Sequence, residues 1–166
     1  KYFDHTQAIN FYHQKKYNLC IEGLKNVIPK LNKENNFDNK TVANFYIAKS
    51  YWKQNKHKEA LPYLLKVDKT FLERKYIRPD LRENYELLIK YFTKKEDTKM
   101  QLLYINRLLK VDSILNNNYK YLSQKIFKEY DAKKLIKAKT ELEDSMKWKN
   151  KVAYATSFFI LISTVV

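Results

Sequence analysis

Apolar residues in the first two thirds of the chain recur in three segments that align when they are offset by forty residues. Within each segment they fall at i, i+3, i+4 and i+7, the spacing of one face of an α-helix. Short polar runs interrupt the segments at Gln14–Asn18, Lys53–Lys58 and Thr93–Lys99. Each segment therefore predicts two amphipathic helices joined by a turn, that is, a helical hairpin. The aligned positions are Ala8, Ala48 and Leu88; Phe11, Tyr51 and Tyr91; Cys20, Ala60 and Met100; and Leu24, Leu64 and Tyr104.

The residues after the third segment predict two further helices. Asn116–Asn118 is a turn signal, and Tyr119–Tyr130 has the pattern of a helix that packs on the array. Asp131 is placed to cap the next helix, Ala132–Lys151. That helix has a narrow apolar stripe, which is typical of a coiled coil or of a helix lying on the repeats. The stripe consists of Leu135, Ala138, Leu142 and Met146.

The last fifteen residues, Val152–Val166, contain no charge. As a helix they would span roughly 22 Å at about 1.5 Å per residue, whereas a full bilayer span needs about 20 residues. A core helix or a β-strand is one interpretation, because the run is rich in Ile and Val. However, it is apolar on all sides, and it follows Met146–Lys151, whose Trp148 and lysines suit a membrane interface. We expect the start of a truncated transmembrane helix.

Composition supports a helical protein and argues against a nucleic-acid-binding surface. Hydrophobic residues make up 45% of the chain, enough for a core, and one Gly and three Pro leave little material for the turns of a β protein. The net charge of +15 rests on 29 Lys and only 4 Arg, in blocks no longer than two. Because base recognition and bidentate phosphate binding favour Arg, direct binding of nucleic acid by these residues is disfavoured.

The residues that usually carry catalysis are scattered. His5, His13 and His57 have no Cys partner at ligand spacing, so no metal site is expected. Gly23 is the one glycine, which leaves no glycine-rich phosphate loop, and Cys20 falls where the first hairpin packs. We therefore expect a protein that is not an enzyme and that binds no cofactor.

The second segment, NFYIAKSYWKQNKHKEALPYLLKV, resembles a tetratricopeptide repeat through Ala48, Tyr51, Ala60 and Leu64. The first segment matches less fully, with Cys20 in place of the usual alanine, and the third is degenerate. The resemblance implies an all-α array of about three helical hairpins, followed by a long C-terminal helix that runs into the truncated transmembrane segment.

The same resemblance implies a groove lined by the first helix of each hairpin, where a peptide or protein partner would bind. The family's carboxylate clamp is not expected, because Ile9 and Lys49 replace the asparagines it needs. An alternative is that several of these positions pack against neighbouring helices. The groove positions are His5, Ile9, Tyr12 and His13; Phe45, Lys49, Trp52 and Lys53; and Tyr85, Ile89 and Phe92.

The order of repeats, helix and apolar run resembles bacterial membrane-anchored regulators. In that family tetratricopeptide repeats precede one transmembrane helix and an AraC-type helix-turn-helix domain. The resemblance implies three parts: a repeat domain at 1–130, a connecting helix at 131–151 and the start of a membrane helix at 152–166. It implies a sensory domain on the periplasmic side of the inner membrane, which relays partner binding through its C-terminal helix. DNA would be bound only through a domain absent from this chain.

Other interpretations remain open at this stage. Lys147, Lys149 and Lys151 precede the apolar run, and the positive-inside rule would place that flank in the cytoplasm. The chain is alternatively a membrane-tethered scaffold without a DNA-binding domain, or a cytosolic repeat protein whose apolar tail packs into its own groove. A homodimer through the C-terminal helix is also compatible with the pattern.

Overall fold

The computed structural model describes residues 2–118 and 132–165, and within these ranges the chain forms helices and turns without any strand. The all-α class expected from the sequence is therefore confirmed. A short 3₁₀ turn at Pro79–Leu81 lies between the fourth and fifth α-helices. The α-helices are α1 Tyr2–His13, α2 Tyr17–Lys33, α3 Phe37–Lys53, α4 His57–Arg74, α5 Glu83–Lys94, α6 Thr98–Asn118 and α7 Ala132–Val165.

Three-residue turns join α1 to α2, α2 to α3, α3 to α4 and α5 to α6. The middle residue of each turn is left-handed, with φ between 54° and 61°; these residues are Lys15, Asn35, Asn55 and Glu96. In each turn the N–H of the next residue donates to the carbonyl five positions earlier, as from Lys16 to Phe11 at 2.8 Å. This is the Schellman arrangement that ends helices, although glycine usually occupies its left-handed position.

The positions that align at forty-residue spacing supply much of the core. Ala8, Ala48 and Leu88 are each no more than 2% exposed, and Cys20 and Ala60 are fully buried. From α1 to α4 each helix packs on the next, and α1 also contacts α3. Small residues at these positions allow close approach of the helices, which is why the sequence repeat and the packing repeat coincide.

Helices α1 and α2 approach each other closely at Gly23. A Cβ added to Gly23 would lie 2.9 Å from the Cβ of Ala8, closer than two methyl groups can stand. Gly23 lies inside a helix, where glycine is less favourable than alanine by about 1 kcal/mol. The glycine is therefore needed for packing and not for a turn.

The chain divides into two compact units, residues 1–91 and 92–166. In the second unit α6 packs on α7, and Leu135 at the start of α7 is 3% exposed. The expected helix at 119–130, its following cap at Asp131 and the boundary after 130 lie outside the described residues. Across the expected boundary after 151, α7 continues without interruption.

The middle of α7 is exposed. Every residue from Lys147 to Ser157 is exposed, and Trp148 and Tyr154 are 69% and 77% accessible. The helices of residues 2–118 and 132–165 include none with the length and apolarity that a bilayer crossing requires.

Candidate functional site

Four of the expected groove residues have buried side chains. His5, Phe45, Tyr85 and Ile89 are between 0% and 6% exposed. Tyr85 illustrates the reason: its hydroxyl donates to Asp68 Oδ1 at 3.1 Å and its ring meets Phe71 edge-on. These side chains hold α1, α3, α4 and α5 in place and do not offer a surface to a ligand.

His5 is tied to the next hairpin. Its Nε2–H donates to the backbone carbonyl of Asn39 at 3.1 Å, which fixes the tautomer because a carbonyl only accepts. Burial lowers the pKa of His5, and the nearby Arg78 guanidinium acts in the same direction, while Asn39 and Asp38 oppose the shift. The imidazole is therefore a neutral structural link between α1 and α3.

The remaining residues of α1 and α3 meet in a cluster that we call the α1–α3–α5 surface, formed by Tyr12, His13, Tyr46, Lys49 and Glu83. The Tyr12 ring meets the Tyr46 ring edge-on at 5.3 Å between centroids, and His13 meets Tyr46 at 5.9 Å. His13 is exposed, whereas Tyr12 and Tyr46 are half-buried. The rings are thus locked by one another and still present part of their area to solvent.

Lys49 lies at the centre of this surface. Its ammonium is 2.6 Å from Glu83 Oε2, which joins α3 to α5, and it lies 5.1 Å from the centroid of the Tyr12 ring and 5.8 Å from that of Tyr46. Burial disfavours the charged ammonium. The Glu83 carboxylate and the two phenol groups outweigh that effect and raise the pKa of Lys49. The lysine is therefore charged, but its charge is neutralised within the protein.

The two tyrosines are held in their neutral form. Burial raises the pKa of Tyr12 and of Tyr46, and in both cases the Lys49 charge opposes the shift without cancelling it. Each hydroxyl is thus a hydrogen-bond donor and acceptor next to an apolar ring. Such a surface suits contact with a polypeptide, because rigid rings provide contact area at a small entropic cost.

The other expected groove residues lie outside this cluster. Ile9 packs against the core of the first hairpin, and the Trp52 ring lies tilted against His57 of α4 at 4.3 Å between ring centroids. Lys53 is exposed at the end of α3. Phe92 belongs to the second unit, where its ring stacks on Tyr104 at 5.4 Å.

Two members of the α1–α3–α5 surface, Tyr46 and Glu83, are absent from the groove positions expected from the sequence. Tyr46 directly follows Phe45, which was expected in the groove, but it lies at a neighbouring position of α3. Glu83 opens α5 as an ordinary acidic residue of a first turn. No local pattern connects it with Lys49, which lies 34 residues earlier, so the pair could not be predicted without the packing of α3 and α5.

In the described part of the chain no group of His, Cys, Asp or Glu side chains is arranged to hold a metal ion. The buried thiol of Cys20 has a raised pKa because of burial, which leaves it protonated and unreactive. Comparisons with protein-family models, with curated proteins and with solved structures find no match.

Proposed function

We propose that this chain is a non-enzymatic protein-interaction domain built as a tetratricopeptide-like array, and that its α1–α3–α5 surface binds a peptide segment of a partner protein. The single observation that supports the proposal most strongly is the ring cluster of Tyr12, His13 and Tyr46. It joins the first helices of two successive hairpins and remains partly accessible. Aromatic anchors of this kind dominate the energy of protein interfaces.

The chemistry of the surface indicates what part of a peptide it recognises. Since Glu83 neutralises Lys49, the surface has no strong preference for an acidic residue at its centre. The rings offer apolar contact, and the phenol hydroxyls and the second carboxylate oxygen of Glu83 offer hydrogen bonds to a peptide backbone. We expect a segment with one or two apolar or aromatic anchors.

Selection from a displayed peptide library tests this function. Peptides enriched on the full chain are expected to bind with a dissociation constant that rises at least tenfold, about 1.4 kcal/mol, in the double variant Tyr12→Ala and Tyr46→Ala. Fluorescence polarisation with labelled peptide measures this constant. Thermal unfolding of the variant, followed by circular dichroism, establishes that it is folded at the assay temperature.

The matched control is Tyr154→Ala, which removes an exposed tyrosine from α7. Its affinity for the selected peptide is expected to match that of the unaltered chain. If the double variant binds as tightly as the unaltered chain, or the control weakens binding equally, the α1–α3–α5 surface is not the site.

We further propose that the interaction domain is the sensory part of a membrane-anchored transcription regulator, with a membrane-tethered scaffold as the alternative. The support is the order of elements along the chain: the helical hairpins come first, and α7 is a later 34-residue helix that ends in an uncharged segment. Partner binding would act on the pose or pairing of α7, which requires that the partner prefer one of two states. Arg-rich helix-turn-helix residues encoded after Val166 would favour the regulator; their absence would favour the scaffold.

A further inference from the structure

A polar pocket of about 360 Å³ lies between α2, α3 and α4. It shares no residue with the α1–α3–α5 surface. A volume of this order is at the lower end of those that hold small ligands. Its walls come from three helices of the first compact unit, so the pocket is part of the packed array and not of a loop.

Three lysines line this pocket: Lys40 of α3 and Lys66 and Lys69 of α4. Within the described residues, neither Lys40 nor Lys66 forms an ion pair with a carboxylate. Lys69 reaches Glu73 at 3.8 Å, but both side chains are more than half exposed, so this pair is weak. Lys40 and Lys66 thus differ from Lys49, whose charge Glu83 already neutralises.

Polar uncharged groups accompany the lysines. Asn44, which is 3% exposed, donates from Nδ2 to the Lys40 carbonyl at 2.9 Å, and Thr70 donates to the Lys66 carbonyl at 3.1 Å. These bonds fix the pocket wall beside each unpaired lysine. Asn32 adds an amide from α2. No arginine is among the lining residues, so the cationic groups of the pocket are the compact ammonium charges of lysine.

The surrounding positive charge adds to the attraction for an anion. Residues 1–91 contain 18 Lys and Arg against 10 Asp and Glu. Next to the pocket, the Lys66 ammonium lies 4.8 Å from the centroid of the Tyr63 ring, and Lys25 donates to the Tyr51 hydroxyl at 3.0 Å. Glu73 is the one carboxylate among the lining residues, against three lysines, so an anion entering between α2 and α4 meets an excess of positive charge.

From these observations we infer that the pocket between α2, α3 and α4 binds a small molecule that carries phosphate groups, with Lys40 and Lys66 as its principal cationic contacts. Lys69, Asn32 and Asn44 complete the polar wall. Lysine is a common phosphate ligand because it acts as a point charge, and amide N–H groups can donate to the remaining phosphate oxygens.

Titration calorimetry of the full chain with sodium pyrophosphate tests the inference, with sodium chloride keeping the ionic strength constant. We expect saturable binding at one site, and a dissociation constant that rises at least tenfold in the double variant Lys40→Gln and Lys66→Gln. In ¹⁵N-resolved spectra the side-chain amide of Asn44 is expected to shift with saturation. Urea unfolding of the variant checks that the fold is retained.

The matched control is the double variant Lys58→Gln and Lys90→Gln, which removes the same charge from exposed positions outside the pocket. Its dissociation constant is expected to stay within twofold of the unaltered chain. The inference is overturned if binding does not saturate, or if the control weakens it as much as the pocket variant. Tighter binding of citrate than of pyrophosphate would overturn the assignment to phosphate.

Discussion

At the scale of residues, Lys49 and Lys66 are the same side chain in different surroundings. Lys49 is mostly buried, is paired with Glu83 and lies over three aromatic rings, so its charge serves to join α3 to α5. Lys66 is exposed, lies over one ring and lines the polar pocket. Within the described residues it forms no ion pair with a carboxylate. Only the second is placed to attract an anion, and sequence position alone does not distinguish them.

Gly23→Ala is expected to destabilise the fold by up to about 2 kcal/mol. Alanine gains about 1 kcal/mol of helix propensity, but overpacking against Ala8 costs typically 1–3 kcal/mol, and a methyl on rigid helix backbone cannot move away. Urea unfolding measures the change. The double variant Ala8→Gly and Gly23→Ala exchanges the two groups and is expected to recover part of the loss. If Gly23→Ala alone is stabilising, α1 and α2 are not in this contact.

His5 is expected to make the free energy of unfolding fall as the pH decreases below about 6.5. Burial lowers its pKa in the folded chain, so the unfolded chain takes up the proton first. The stability that neutral His5 contributes is therefore present above the unfolded pKa and is lost as the pH falls through the folded one. Urea unfolding at pH 7 and pH 5.5 should show a smaller decline in His5→Gln, which keeps an N–H donor. An equal decline in both proteins would contradict this assignment.

At the scale of elements, the helices begin at nearly regular intervals along the chain, because a left-handed turn residue recurs at the end of one helix after another. Left-handed residues occur at Lys15, Asn35, Asn55, Lys75 and Glu96, at intervals of 20 or 21 residues. Each follows a helix and reverses or redirects the chain. The caps on the following helices vary: Asn36 Oδ1 accepts from Asn39 N–H at 3.2 Å, whereas Lys16 and Lys56 offer no side-chain cap. The repeat is thus maintained by the helix ends and by core spacing more than by caps.

Lys15→Gly is expected to stabilise the chain by about 0.5–1 kcal/mol, because glycine removes the cost of a left-handed L-residue. Asn55→Gly should gain less, since asparagine tolerates this conformation better. Lys15→Val should destabilise the folded chain, because a side chain branched at Cβ tolerates the left-handed backbone conformation least. Urea unfolding of the three variants tests the order, and equal gains for Lys15→Gly and Asn55→Gly would be inconsistent with it.

At the scale of the whole molecule, α7 has an exposed stretch, Lys147–Ser157, that the packing of the fold does not explain. Trp148, Val152 and Tyr154 are exposed apolar or aromatic residues that alternate with lysines over the same turns. Aromatic and basic residues together favour the interface of an anionic membrane. The proposed membrane anchoring therefore predicts that this stretch of α7 contacts an anionic lipid surface.

The full chain is expected to float with phosphatidylcholine vesicles that contain phosphatidylglycerol, and less with phosphatidylcholine alone. The triple variant Trp148→Ser, Val152→Ser and Tyr154→Ser should weaken this association, whereas Leu65→Ser and Leu103→Ser, which replace exposed leucines elsewhere, should not. A sucrose-gradient flotation assay measures the bound fraction. Equal flotation of the triple variant would argue against membrane contact through these residues.

The amino-acid sequence by itself determined the all-α class, the forty-residue hairpin period and the places of the turns within the three hairpins. Those properties follow from the periodicity of apolar residues and from polar turns, and both are local signals. The thin stripe of α7 belongs here too, since Leu135 is buried and Leu142 and Met146 are half-buried.

Only the tertiary structure decided which side chains of the first helices face solvent and which lie in the core. Phe45 and Tyr85 are buried, although the sequence predicted them in the groove. Tyr46 and Glu83, which it did not predict there, form the α1–α3–α5 surface with Lys49. The polar pocket likewise draws its lining residues from three successive helices, and only their packing brings those residues together. Periodicity defines the apolar face of one helix, but the rotation of neighbouring helices against each other sets which part of that face is covered.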